Sequence, residues 1–526
     1  MSVVYNKSMN SDQIPLPDNL ADAHRAIRKL QLQVEQMQRQ IEQLLRQRFG
    51  SKSEKLHPEQ LLLFGEAAVE LPPAPVETSS KPKGGHGRQK LPANLPRDEV
   101  IHDLTPEQKA CPECGTERRR IGEESSEQLE YVPASLRVIV HKRPKYACAG
   151  CRGHVAVAAR LPEPIERGLP GTGLLAHVIV SKYLDHLPLY RQERIFTRQG
   201  VSLSRQTTCD WMAQCAGLLE PIWKAMKARI LRSNVVMTDD TPVPVQDADV
   251  KGKNRTGRLW AYLGDRDHRF VVYDYSPDHR AEWPELFLKP YTSGYLQSDG
   301  YSGYDRIHAR GIVAVGCWAH ARRKFHEATS SDEKRAKQAL EWIGRLYGVE
   351  RAAKDEANQQ WSKLGGGSND TVRRTLEDQI LAEKRNMESR EILDGFSIWL
   401  ESQLGPVLPK SPMGEAISYA RSNWKSLTRY LEQPWLSIDN NASERAMRPI
   451  AVGRKNWLHL GSDAGGRTAA ILLSVTQSAQ GSGLESWAYL RDVLDRVSTH
   501  PNSRIDELLP DRWKPSESAD PPGRKG

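Results

Sequence analysis

The segment Val235-Val236-Met237-Thr238-Asp239-Asp240-Thr241 decides how this chain is read. Three apolar residues open it, two of them β-branched, and two carboxylates follow after Thr238. Such a run describes a buried strand that ends in charge. Residues 258–263 (RLWAYL) and 270–275 (FVVYDY) form two further strands, joined by a turn over 264–269. Residues 295–300 (YLQSDG) make a fourth strand, which again ends in Asp-Gly. Residues 311–317 (GIVAVGC) make a fifth, and a helix starts near Ala319. Because successive strand side chains point to opposite faces, Asp239 and Asp240 cannot share one site, and either is a candidate.

A three-strand meander followed by strands that alternate with helices is the order of a ribonuclease-H-like sheet. In that fold the ends of the first and fourth strands meet, which brings Asp239 beside Asp299. A third carboxylate comes from residues 436–454, LSIDNNASERAMRPIAVGR. Leu436-Ser437-Ile438 reads as strand-like or extended, Asp439 or Asn440 caps the helix that follows, and Glu444 sits in its first turn. Three converging carboxylates repel one another unless divalent cations bridge them. Mg²⁺ suits the set, because it takes few carboxylates and completes its shell with phosphate oxygens. Two such ions activate a water or 3′-hydroxyl and stabilise the leaving oxygen of a phosphodiester. Arg445, Arg448, Arg454 and Lys455 would hold phosphates nearby. Taken alone, the same helix also reads as a solvated amphipathic helix with an ion pair.

The chain has 526 residues, enough for several domains, and 38% of them are hydrophobic. Lys plus Arg number 75 against 66 Asp plus Glu, a net charge of +9 that suits an anionic partner. No window approaches the roughly 18 apolar residues of a membrane span. The N-terminus MSVVYNKSMNSDQ has no apolar signal core, so a cytoplasmic protein is expected, held at the nucleoid when bound to DNA. Ile27, Leu30, Val34, Met37, Ile41 and Leu44 alternate spacings of three and four, a short heptad seam suited to self-association or to packing within its own domain. The Pro-, Gly- and Lys-rich stretch that follows reads as a tether. Cys111-x-x-Cys114 and Cys148-x-x-Cys151 are two knuckles that complete a tetrahedral S₄ site for structural Zn²⁺, with residues 136–141 (LRVIVH) a strand of the ribbon. Cys209, Cys215 and Cys317 read as isolated, dispensable thiols. Residues 188–199 and 204–212 look like helix, turn, helix, capped by Ser202 or Ser204. Arg205 and Gln206 then stand on a first turn able to read bases, although an ordinary helical hairpin fits as well.

The runs IDNNASERAMRPIAVGRKNWLHLGSDAGGRTAA, TDDTPVPV, SDGYSGYDRI and CWAHARRKF resemble the transposases of the insertion-sequence 66 family. The heptads followed by RFGSKSEKL are similar to that family's N-terminal helix, and the paired CxxC to its zinc-binding region. The resemblance implies a DDE transposase with the triad Asp239, Asp299 and Glu444, a helical insertion before the glutamate, and accessory proteins from the same element. The family usually reads Asp-Glu-Thr at the first strand. This chain has Asp239-Asp240-Thr241, which keeps the first carboxylate. The expected organisation is a multidomain α+β chain: a coiled-coil helix and basic turn over 20–56, a flexible linker over 57–98, a zinc ribbon over 99–160 and a helical region with the helix-turn-helix over 165–232. A ribonuclease-H-like α/β core then spans 233–330 and 434–484 around a helical insertion at 331–433, before a C-terminal helix and tail over 485–526. The expected activity is Mg²⁺-dependent cleavage and strand transfer on double-stranded DNA, at the terminal inverted repeats and a target, by a homo-oligomer. The rival is a non-catalytic zinc-ribbon and helix-turn-helix DNA-binding regulator, which has no use for three carboxylates at element ends. A plain ribonuclease-H-like nuclease would not need the long front half.

Overall fold

The computed structural model describes residues 168–516 except 248–251 and 368, together with 163–165, the pieces 136–143, 145–146 and 156–157, and positions 24 and 28. The heptad seam, the tether, Cys111, Cys114, Cys148, Cys151 and the tail past 516 lie outside the described residues. The chain divides into two compact units, the smaller taking in Val69–Ala159 and Thr197–Val201. In the smaller, β1 (Lys145–Tyr146) pairs antiparallel with β2 (Ala156–Val157). Residues 136–141, expected as a strand, make none. Val138, Ile139 and Val140 are exposed, and β-branched composition makes a strand only where a pleated surface receives it.

The larger unit opens with three helices, α1 (Thr172–Tyr183), α2 (Leu189–Arg198) and α3 (Arg205–Ile230). Gly200 follows α2 at φ +82°, a conformation that glycine adopts without strain. Ser204 caps α3 by accepting from the Thr207 amide at 3.1 Å. The expected end of this helix near Met212 is corrected to Ile230. Trp211, Cys215, Leu219, Ile222, Met226 and Ile230 continue one apolar stripe at helical spacing, and all are buried.

Five strands follow: β3 (Val235–Gln246), β4 (Asn254–Leu263), β5 (Val271–Ser276), β6 (Tyr295–Gln297) and β7 (Val313–Val315). They form one mixed sheet in the order β5-β4-β3-β6-β7. The first three strands are antiparallel, and β3, β6 and β7 run parallel. Short helices α4 (Glu282–Phe287) and α5 (Asp305–His308) sit in the connections, and α6 (Trp318–Ala328) follows β7. β3 pairs with β6 only over Val235–Met237, and beyond that point β4 is its one strand partner, with a single parallel bridge from Val245 to Leu460 on the other side. Pro242 and Pro244 fall in this half, so their missing N–H groups interrupt no second ladder. Their carbonyls are used on the open side, Pro242 by Arg454 Nη1 at 3.0 Å and Pro244 by the Leu460 amide at 2.8 Å.

The chain then becomes helical: α7 (Glu333–Lys363), α8 (Asp370–Lys384), α9 (Arg390–Ser402), α10 (Pro412–Ser422) and α11 (Trp424–Thr428). The breaks fall at the expected Gly365-Gly366-Gly367 and near Gly405-Pro406, with two more, a π-turn at Arg385–Ser389 and a break at Asn423. Trp318 and Phe325 of α6 join Ile343, Leu346 and Phe396 in one core, so these helices pack on the helix that leaves the sheet. The π-turn serves Arg385, which is 2% exposed. Its guanidinium bonds both oxygens of Glu350 at 2.8 Å and donates to the carbonyls of Tyr430, Gln433, Pro434 and Leu436 at 2.8, 3.1, 3.4 and 3.0 Å. Leu436 and Ile438 are buried as expected of apolar residues, but 436–438 is irregular rather than a strand.

Helices α12 (Asn441–Trp457), α13 (Asp463–Gly481) and α14 (Ser486–Arg496) complete the unit. The apolar helix expected from Ala469 starts six residues earlier, because Ser462 caps it by accepting from the Gly465 amide at 3.1 Å. α13 lies along the edge strand β5. Its Ser474 and Ser478 hydroxyls accept the amides of Tyr273 and Val271 at 2.7 and 3.1 Å. Those donors would otherwise stand open for pairing with another chain. Among the described residues no helix is long and apolar enough to cross a membrane.

Candidate active site

The last parallel pair between β3 and β6 is Met237 with Gln297. Asp239 and Asp299 each stand two residues beyond it. Side chains alternate along a strand and neighbouring strands lie about 4.8 Å apart, so the two aspartates leave the parting strands from the same side. Asp239 is partly buried and accepts the Asp240 amide at 2.8 Å. Burial raises its carboxyl most. The neighbouring charges of Asp299, Glu444 and Asp240 add to this, and together they push it up to about 7 against the favourable amide. Asp299 Oδ1 accepts the Tyr301 amide at 3.0 Å, and the Asp299 carbonyl takes the Tyr419 hydroxyl of α10 at 2.8 Å. The helical segment thus touches the second aspartate directly.

Glu444 occupies the first turn of α12, its side chain 16% exposed. Oε2 receives Arg323 Nη2 at 3.3 Å, and Oε1 lies 3.6 Å from His320 Nδ1, both from α6. At that separation neither Glu444 Oε1 nor His320 Nδ1 has a hydrogen-bond partner, although both atoms are buried. Burial lowers the His320 pKa, with Glu444 opposing it. Of the two expected caps, Asp439 accepts a first-turn amide, that of Asn441, whereas Asn440 at the N-cap position of α12 makes no side-chain cap bond. Its Nδ2 donates instead to the Thr238 carbonyl at 2.8 Å, and its amide donates to Cys317 Sγ at 3.1 Å. Asp439 takes the Asn441 amide at 3.1 Å and the Tyr347 hydroxyl at 3.0 Å. The start of α12 is therefore stapled to β3, one residue before Asp239, and to the start of α6.

Asp240 is turned away from this cluster. Its carboxylate pairs with Arg258 Nη1 at 2.8 Å and His279 Nε2 at 3.1 Å, and His279 stacks on Tyr301 with ring centroids 4.3 Å apart. Of the basic residues, Arg445, Arg448 and Lys455 are exposed on α12, whereas Arg454 donates to Thr241 Oγ1 and the Pro242 carbonyl, both at 3.0 Å. Arg205 and Gln206 are exposed on the first turn of α3, a different helix, where Gln206 Nε2 donates to Asp210 at 2.9 Å. Sequence reasoning missed His320, Arg323 and Tyr419, and treated Cys317 as an isolated thiol. The signal was present in CWAHARRKF. Cys317 stands at the N-cap of α6, and the three- and four-residue spacings of a helix set His320 and then Arg323 and Lys324 on one side of it.

Comparison with known proteins gives the family. The family model described as Transposase IS66 family matches residues 167–468, more than half of the chain and all three carboxylates. The chain belongs to the IS66 transposase family. A zinc-finger binding domain of transposase IS66 matches residues 108–152, which contain all four paired cysteines. A model described as Transposase C of IS166 homeodomain matches 36–100, spanning the end of the heptads and the stretch read as a tether, and an IS66 C-terminal element matches 474–510. The uncharacterized protein y4qI of Sinorhizobium fredii (strain NBRC 101917 / NGR234) is 34% identical over 89% of this chain and 87% of its own length. Uncharacterized proteins y4jD and y4hP of the same strain are 33% and 32% identical, over 81% and 82% of this chain and 81% and 78% of theirs. As an IS66-family transposase, the chain carries a zinc-binding domain and has DNA as its partner.

Proposed function

We propose that this IS66-family chain is a DDE transposase with Asp239, Asp299 and Glu444 as its catalytic carboxylates, on a ribonuclease-H-like core. It would bind the terminal inverted repeats of its element, nick at the ends and join the 3′ ends to target DNA. The observation that carries this reading is the convergence of three carboxylates from separate elements where β3 parts from β6. The strand order, a meander followed by two parallel strands, supports the core assignment.

The residues fit a divalent cation. Burial first, and its carboxylate neighbours after it, raise the Asp239 carboxyl, and Glu444 keeps an oxygen that no donor satisfies. When bound, Mg²⁺ would activate the attacking oxygen and stabilise the leaving one. The protein's own groups do the positioning. Arg323 orients Glu444 through Oε2, and the Tyr301 amide and Tyr419 hydroxyl fix Asp299. Asn440 keeps the start of α12 against β3. Asp240, engaged by Arg258 and His279, serves structure. Arg445, Arg448 and Lys455 would meet phosphates, with Arg454 of the same helix bonded to β3, while Arg205 and Gln206 would meet DNA elsewhere. Cys111, Cys114, Cys148 and Cys151 would hold one structural Zn²⁺. The chain would act as a homo-oligomer at the nucleoid, with accessory proteins of its element.

Incubation with DNA carrying the element's ends, in Mg²⁺ and in EDTA, tests the reading. Nicking at the ends in Mg²⁺ alone is expected. End binding without any cleavage would return the chain to the non-catalytic regulator.

A further inference from the structure

Cys317, His320 and Glu444 each offer one ligand atom, and the three atoms lie within 4.8 Å of one another. Thiolate, imidazole and carboxylate are a donor set for a borderline-soft cation, not for Mg²⁺, which takes oxygen. Bonds of about 2.0–2.3 Å to one zinc ion place tetrahedral ligands about 3.3–3.8 Å apart, so a small closure of the trio suffices. Two of the atoms, His320 Nδ1 and Glu444 Oε1, are buried and have no hydrogen-bond partner. That is an unusual state for a native polar pair and the state expected of ligands awaiting an ion.

We propose that Cys317, His320 and Glu444 form a second zinc-class site, separate from the paired cysteines, which acts as a brake by drawing Glu444 into a soft-ligand set with α6. The brake rests on the role of Glu444 proposed above, whereas the site itself does not. Cys317 stands at the N-cap of α6 with the Asn440 amide 3.1 Å from its sulfur. Burial pushes the thiol up to about 12, with the Asn440 and His320 amides opposing that rise. On binding, the ion displaces the thiol proton to solvent and the S–Zn bond replaces S–H. His320 binds as the neutral ring, the form that burial favours. Three protein ligands leave a fourth position open. Because Mg²⁺ has little affinity for sulfur and imidazole nitrogen, excess Mg²⁺ would not empty the site.

The test is zinc content of the full chain after equilibration with micromolar free Zn²⁺ in excess Mg²⁺. The wild-type chain is expected to hold one more equivalent than Cys317→Ser and than His320→Gln, each checked for cooperative unfolding. The second variant alters a side chain that is only partly buried, so it decides the matter if the first fails to fold. Equal zinc in the wild type and the folded variants would overturn the site. In the cleavage assay, added Zn²⁺ should slow the wild type, and Cys317→Ser should require about tenfold more zinc or higher for the same slowing. Extra zinc that leaves cleavage unslowed would overturn the brake. A chain that never cleaves in Mg²⁺ counts against the transposase reading, and the zinc count still decides the site.

Discussion

Asp239 carries the strain of the site, with burial and three neighbouring carboxylates raising its pKa from the ordinary value to about 7. The sign of the consequence follows from linkage. A carboxyl whose folded pKa is raised favours the fold fully below its ordinary pKa, and that contribution is lost as pH rises through about 7. In metal-free protein, ionisation of Asp239 therefore destabilises the fold across this window. A bound divalent cation reverses the effect, since it favours the ionised form. Mg²⁺ should raise the melting temperature more at about pH 8 than at about pH 6, and Asp239→Asn should remove most of that difference. Differential scanning fluorimetry reads both, and equal shifts at the two pH values would contradict the assignment. The sequence left Asp239 and Asp240 as alternatives, because alternation says only that two adjacent residues face opposite ways. The proposal favours Asp239 because Arg258 and His279 occupy Asp240, and they stand 18 and 39 residues away from it in the chain.

At the scale of elements, the helical segment between Asp299 and Glu444 grips the site through Arg385. Its guanidinium holds Glu350 on α7 and four carbonyls of the segment that leads to α12. Arg385→Met leaves Glu350 and those carbonyls unpaired in a buried place, and should cost about 3–5 kcal/mol in urea or thermal unfolding. It should also slow end cleavage, since the freed segment carries Glu444. A variant as stable as the wild type would show that solvent satisfies these groups. The five strands and the glycine breaks between helices were legible, because apolar β-branched runs and Gly clusters act locally. What was not legible depended on distant partners. Residues 136–141 have strand composition but no strand. Asn440 has capping chemistry, but the Thr238 carbonyl, 202 residues earlier, takes its side chain. The helix from Arg205 runs to Ile230 because the body of the unit buries its whole stripe.

At the scale of the whole molecule, the unbroken heptad seam, which lies outside the described residues, predicts self-association. A truncation starting near Leu56 should sediment as a smaller species than the full chain, measured per subunit. Equal association states would mean that the seam packs within its own domain. The order of the proposed triad in the chain was readable from strand ends and one helix start. Its closure was not, because it depends on Asn440, Tyr419 and Arg323 bonding across more than 100 residues of sequence. The central claim is that Glu444 completes a cation site begun by Asp239 and Asp299. Glu444→Gln keeps the shape of the side chain and removes the charge. The most direct measurement is Mg²⁺-dependent cleavage of end DNA by this variant beside a gel shift on the same DNA, with Asp240→Asn as the control. Cleavage should collapse while binding persists, because affinity comes mainly from cationic contacts elsewhere, and the control should keep much of its activity. Cleavage by Glu444→Gln at the wild-type rate would contradict the account and leave this glutamate as no more than the partner of Arg323.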